Sequence, residues 1–248
     1  MQALVWYVNV LAVVGLMAAL VLRGAWRSWP CLTGFIFASF LRDMALLLLE
    51  RRTDPYFATY ILTEPLVLAT LAGAVMESWR RRTAGIVSVG QAGGYLFWLA
   101  LGLASAVTIA GSTLGGEWVL PLKVALSARQ CVLSGLAGFM LISLIALEAL
   151  RVRAAPAVQF EHRVLSVYLF VQALAMSAGA LTGQAAMSVI NTFSLAAGAI
   201  VYIFWAARIQ PVPAESAPHP GLRAEAAEAQ MAEVLTTMRT AAKSLMGR

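Results

Sequence analysis

Seven stretches of about 20 mainly apolar residues, 3–22, 31–49, 57–78, 85–110, 121–147, 164–183 and 187–207, take up most of the sequence. That is the length an α-helix needs to cross the hydrocarbon core of a bilayer. A chain inside a bilayer must also satisfy its own backbone N–H and C=O groups, which leaves helices or a closed barrel. The expected fold is therefore all-α, a seven-transmembrane-helix bundle. Composition agrees, because 60% of the residues are hydrophobic and only 12% are charged, whereas a soluble domain is nearer half and a quarter. Before Arg23 there is no basic n-region and no small-residue cleavage site, so the first stretch is expected to stay as a helix.

Arginine sets the orientation. Arg23 and Arg27 follow the first stretch, Arg80, Arg81 and Arg82 the third, Arg151, Arg153 and Arg163 the fifth, and Arg208 the seventh. All of them face the cytoplasm if the N-terminus is outside and the C-terminus inside. GSTLGGEW and TGQAAM, on the other side, carry no Lys or Arg; Arg51 and Arg52 are the exception. The short TGQAAM connection implies a tight pair of antiparallel helices. GQAGG (90–94) and GLAG (135–138) offer places where helices can approach closely. Trp6, Tyr7, Trp79, Trp118 and Trp205 lie near the ends of stretches, where aromatic-belt residues sit.

Three segments follow: a seven-helix transmembrane domain at 1–208, a Pro-rich linker at 209–221, and a cytoplasmic amphipathic helix at 222–248. In the last, Met231, Val234, Leu235, Met238, Ala241, Ala242 and Leu245 recur every three or four residues and form one apolar stripe. That stripe needs cover from the inner leaflet, from a second copy of the chain, or from a partner protein.

The residues most out of place are the charged ones inside the apolar stretches. A charge at the centre of a spanning helix costs about 2.5–3.5 kcal/mol. Arg42 and Asp43 lie near the outer end of the second stretch, Glu64 near the outer start of the third, and Arg129 near the outer start of the fifth. At about 1.5 Å per residue they come to one depth. Asn9, Tyr60 and Asn191 fall at a similar depth and Gln172 near the middle, with Tyr60 on the face of Glu64 because the two are four apart. Two cations and two anions at one level imply a compensated network. Arg42 and Asp43 project about 100° apart and are expected to reach different neighbours, with Arg42 or Arg129 on Glu64. Asn9, Gln172 and Asn191 are then free to complete the carboxylates' hydrogen bonds. The network either floors an outward-facing pocket for a small polar ligand or forms a dry pin that locks the helices in register. Pro65 removes a hydrogen bond to Ile61 beside Glu64 and is expected to bend that helix.

Other chemistry has little support. No G-x-x-x-x-G-K-[ST], H-E-x-x-H or G-x-S-x-G occurs, and His162 and His219 lie outside the apolar stretches, so no metal site, cofactor or enzymatic activity is expected. The seventh stretch contains no lysine for a retinal Schiff base, and Lys123 lies near the outer interface. Cys31 and Cys131 read as small buried hydrophobes, and Glu77 and Glu148 as surface partners of the nearby arginines. The charge of +6 sits in short clusters between apolar runs, unlike a nucleic-acid-binding face.

RDMALLLL and the following RRTDPYFATYILTEPLVLATLAGAVMESWRRR resemble an uncharacterised family of bacterial seven-helix integral membrane proteins. The same region is similar, more distantly, to the seven-helix sensor regions of bacterial signalling proteins. The resemblance implies a bacterial inner-membrane protein and a sensor-like or accessory role, and assigns no residue a function. A small-solute or ion transporter would need the polar track to continue inward, where only Ser88, Gln91, Ser143 and Tyr202 stand, and no half-to-half repeat is visible. A structural or assembly subunit would need only the dry network.

Overall fold

The computed structural model describes residues 2–49, 53–84, 86–112, 120–150, 152, 154–182 and 184–212, and the isolated positions 229, 232 and 236; side chains at 2–3, 87, 107–112, 120–124, 180–182 and 184–188 are outside that description. Most of the linker and of the amphipathic helix at 222–248, together with Arg51, Arg52, Trp118, Arg151, Arg153 and the side chain of Lys123, thus lie outside the described residues.

The described chain is helical and contains no strand. Its long helices are α1 (Gln2–Leu22), α2 (Pro30–Leu47), α3 (Asp54–Arg82), α4 (Val87–Ser112), α5 (Leu120–Ala149), α6 (Pro156–Thr182) and α7 (Gln184–Arg208). Proline marks four starts. Pro30 and Pro156 are the first residues of α2 and α6, and Pro55 and Pro121 the second residues of α3 and α5, where a missing N–H costs no intrahelical bond. Between α1 and α2, Gly24 takes φ 67°, a left-handed conformation open to glycine, and turns the chain into a 3-10 turn at Ala25–Arg27. α3 continues unbroken through Pro65. α6 begins at Pro156, about two turns before the apolar stretch that starts at 164.

The helices close into a ring. α1 lies between α2 and α7, α6 between α5 and α7, and α3 reaches from α2 across to α5 and α6. α4 leans on α5 and touches α3. Two glycines permit the closest of these approaches. A Cβ on Gly93 would fall 2.0 Å from the ring of Trp79, and one on Gly135 would fall 3.0 Å from Leu101. Trp79 packs edge-on against Phe139, which packs edge-on against Phe97. Trp79 and Trp205 are therefore core residues and not interfacial ones, each with its indole N–H on a partner inside the bundle: the Gly90 carbonyl for Trp79, the Glu161 carboxyl for Trp205.

The exterior is apolar. Leu11, Leu62 and Trp98 are each more than two-thirds exposed, which water would penalise and lipid does not. Five helices, at 4–22, 30–47, 54–82, 125–149 and 189–208, are long and apolar enough to cross a membrane. Several apolar helices of this kind fit a membrane-embedded protein.

After α7 the chain is tied to the α1–α2 connection. Arg23 Nη1 donates to the carbonyls of Ala207 (3.1 Å) and Ile209 (2.9 Å), Trp29 Nε1 to that of Gln210 (3.4 Å), and Val212 N to Ser28 Oγ (3.2 Å). Arg23 so satisfies carbonyls that a helix end leaves free.

Candidate functional site

Three helices each contribute charge at one level. From α2, Arg42 donates through Nη1 to Glu64 Oε2 (2.9 Å) and through Nε and Nη2 to Asp43 Oδ1 (3.1 and 3.0 Å). From α5, Arg129 Nη1 comes within 3.2 Å of Glu64 Oε1 and donates to Tyr60 Oη at 3.2 Å. Glu64 on α3 is thus shared by two guanidiniums. Its side chain is 3% exposed, while those of Arg42, Asp43 and Arg129 keep 13%, 12% and 22%. Arg129 Nε and Glu64 Oε1 are buried and have no hydrogen-bond partner among the described residues.

The observed pairing departs from the sequence reading at one point: Arg42 and Asp43 do pair. Adjacent helical residues diverge at Cβ, but the arginine stem is long enough to fold its fork back, placing Nε and Nη2 on Asp43 while Nη1 reaches across to α3.

The amides are placed differently. Gln172 accepts from Ser194 Oγ at 2.8 Å, and a Cβ on Gly198 would lie 3.4 Å from Asn9 Oδ1 and 3.5 Å from Gln172 Nε2. Asn9, Gln172, Ser194 and Gly198 form a separate polar group on α1, α6 and α7, and the partners of Asp43 and Glu64 are arginines. Asn191 is exposed and joins neither group. Asn9 lies beside Gly198, so Asn191 does not share its level as the sequence reading expects.

Further polar contacts lie toward the arginine-rich end. Tyr202 donates to Tyr168 Oη at 3.0 Å, both buried between α6 and α7. His162, fully buried, holds Ser78 Oγ and Ser143 Oγ 3.1 Å from its two ring nitrogens. Glu161, 2% exposed, accepts from Trp205 Nε1 at 2.5 Å. Both residues precede the apolar stretch at 164–183. Burial raises the Glu161 carboxyl to about 8, the indole hydrogen bond opposing it. Burial, then Arg82 and Arg163, lowers the His162 imidazole to about 3. The signal that could have exposed this pair is Pro156, which starts α6 early enough to carry 161 and 162 into the bundle.

Glu77 does pair with a nearby arginine, Arg81 at 3.4 Å, but its side chain is largely buried and not at the surface. Its Oε2 accepts from the backbone N–H groups of Cys31 (3.0 Å) and Leu32 (3.2 Å), so a side chain of α3 caps α2. Glu148 is exposed and pairs with Arg82 and Arg163. Cys31 is exposed and Cys131 buried, both as free thiols. Two hollows, of about 390 and 200 Å3, open elsewhere: one between α3 and α4 beside Arg80 and Gln91, the other between α5 and α6 beside Gly138 and Phe170. Neither is lined by a residue of the charge cluster.

No family model matches the chain, and no curated protein or solved structure is significantly similar to it. The arrangement itself can bind charge and couple helices. It presents two forks, two carboxylates and a phenol, and an incoming polar group could exchange hydrogen bonds with them.

Proposed function

We propose that the chain is a sensor-like or accessory module of the bacterial inner membrane. In this reading it has seven crossings, the N-terminus outside and the C-terminus in the cytoplasm, and the Arg42, Asp43, Tyr60, Glu64 and Arg129 cluster forms the floor of an outward-facing polar pocket. The resemblance to seven-helix sensor regions supports this role, and the arginine distribution supports the orientation. The observation that carries the ligand reading is that the cluster is balanced in charge yet incomplete in hydrogen bonds: among the described residues buried Arg129 Nε has no hydrogen-bond partner, and Glu64 Oε1 meets Arg129 Nη1 only as an ion pair at 3.2 Å, next to side chains that keep some exposure. A small polar or zwitterionic ligand satisfies such groups without upsetting the charge balance. Because Glu64 is common to both guanidiniums, a ligand drawing on either would alter the contacts among α2, α3 and α5. The tail helix or the inner loops would then pass the change to a partner.

A structural or assembly subunit is the second reading, favoured by the mutual pairing of all four charges. Labelling separates the two. Single cysteines replacing Tyr60 and Leu126, each about one turn outward of Glu64 and Arg129, are placed in a background free of Cys31 and Cys131 and exposed on whole cells to a membrane-impermeant thiol reagent. The pocket reading expects both to label. Silence at both, in protein verified as folded and inserted, overturns it in favour of the dry pin.

A further inference from the structure

At the arginine-rich end the carboxylates are unequally provided for. Arg81 lies 3.4 Å from Glu77, and Arg82 and Arg163 lie 3.3 and 3.0 Å from Glu148. Among the described residues no ion pair reaches Glu161, which has the Trp205 indole instead. The groups around it give no relief. α3 presents Glu77, a like charge, with Arg81 and Arg82 already engaged. α5 presents Glu148, which holds Arg82 and Arg163. On α7, Tyr202 is bound to Tyr168 and Arg208 is exposed; on α6 itself, His162 is held by two serines. A buried carboxylate without a cation is costly, and taking up a proton removes the cost.

Trp205 also holds the end of its helix. Its carbonyl accepts from Ile209 N at 2.8 Å, and 209–212 is the segment tied to Arg23, Ser28 and Trp29. The proton-accepting group and this strap are joined through one residue.

We propose that Glu161 is a proton-binding site, neutral while Trp205 packs on it, and that loss of the proton loosens the end of α7 and segment 209–212 from the α1–α2 connection. The ligand is a proton from the arginine-rich side, and the response is delivered where the tail leaves the bundle. The site stands independently of any ligand at the outer cluster.

The direction follows from linkage. With its folded value raised to about 8 from 4.5, Glu161 favours the packed state fully below 4.5, and that contribution is lost as pH rises to about 8. His162, lowered to about 3 from 6.5, favours it above 6.5 and loses its contribution as pH falls toward 3. Between 6.5 and about 8 only Glu161 of the two changes the balance.

Infrared difference spectra of the full chain in lipid nanodiscs, titrated across that window, test the site. Wild type should show the carbonyl stretch of a neutral carboxylic acid, fading as pH passes about 8; E161Q should lack it and E77Q keep it. W205F, which retains the carboxyl but removes its donor, should move the band to higher frequency and serves if E161Q fails to fold. Hydrogen exchange at Ile209 and Val212, corrected for the chemical rate, should quicken over the same window in wild type and stay flat in E161Q. A band unaffected by E161Q or unmoved by W205F overturns the proton site. Exchange with the same pH profile in wild type and E161Q overturns the coupling to the strap.

Discussion

Arg42 meets its own neighbour and a residue on another helix with one guanidinium, an economy that matters where each charge costs about 2.5–3.5 kcal/mol to insert. Context decides the amides in the same way. Gln172 is buried with Ser194 on its oxygen, while Asn191 faces outward. Replacing Gln172 with Leu should cost about 1 kcal/mol, because the half-buried hydroxyl of Ser194 loses its acceptor. Asn191→Leu should change stability by less than about 0.5 kcal/mol or improve it. Reversible unfolding in mixed micelles measures both, and an equal loss for the two would contradict the placement of Asn191. Depth along a helix was legible for Arg42, Glu64 and Arg129 from the rise per residue alone, but not for Asn191, expected level with Asn9, because it is Gly198 that lies beside Asn9. Azimuth was less so. Asn191 shares a helix face with Gly198, yet Asn191 is exposed while Gly198 faces Asn9 and Gln172, a difference that no local pattern in α7 records.

Among the elements, α3, α4 and α5 depend on glycine at their contacts. At Gly93 a methyl group would meet the Trp79 ring at 2.0 Å, whereas at Gly94 nothing lies within 4 Å. Gly93→Ala should therefore destabilise the bundle by about 1–3 kcal/mol through overpacking. Gly94→Ala should be neutral or stabilising by up to about 1 kcal/mol, the usual helical gain over glycine. Thermal unfolding of the two variants in one detergent checks the contrast, and equal midpoints would refute the α3–α4 packing. The GQAGG motif showed that a close approach was available, but not which of its glycines faces Trp79. The extents of the helices were readable from apolar length, and the corrections came where a helix outruns its apolar stretch. α6 starts at Pro156, and this puts Glu161 and His162 inside the bundle. The capping of α2 by Glu77 of α3 is a contact between distant residues that sequence spacing does not encode.

Among the described residues, the carboxyl, guanidinium and imidazole side chains of the bundle interior gather at two levels. One level is the charge cluster joining α2, α3 and α5, and the other holds Glu77, Glu161 and His162 at the arginine-rich end. The Tyr168–Tyr202 contact lies between them on the α6–α7 seam. The proposed role requires the charge cluster of α2, α3 and α5 to act as one compensated unit. A double-mutant cycle tests this most directly, using Glu64→Gln, Arg129→Gln and their combination, with unfolding free energies measured in bilayer-like lipid. Each single change leaves a buried charge uncompensated and should cost on the order of 3 kcal/mol. The double variant keeps Arg42 with Asp43, again neutral in sum, and should recover part of the loss, with a coupling of about 1–3 kcal/mol. Losses that add to within about 0.5 kcal/mol would show Glu64 and Arg129 to be independent, and the compensated network would be contradicted.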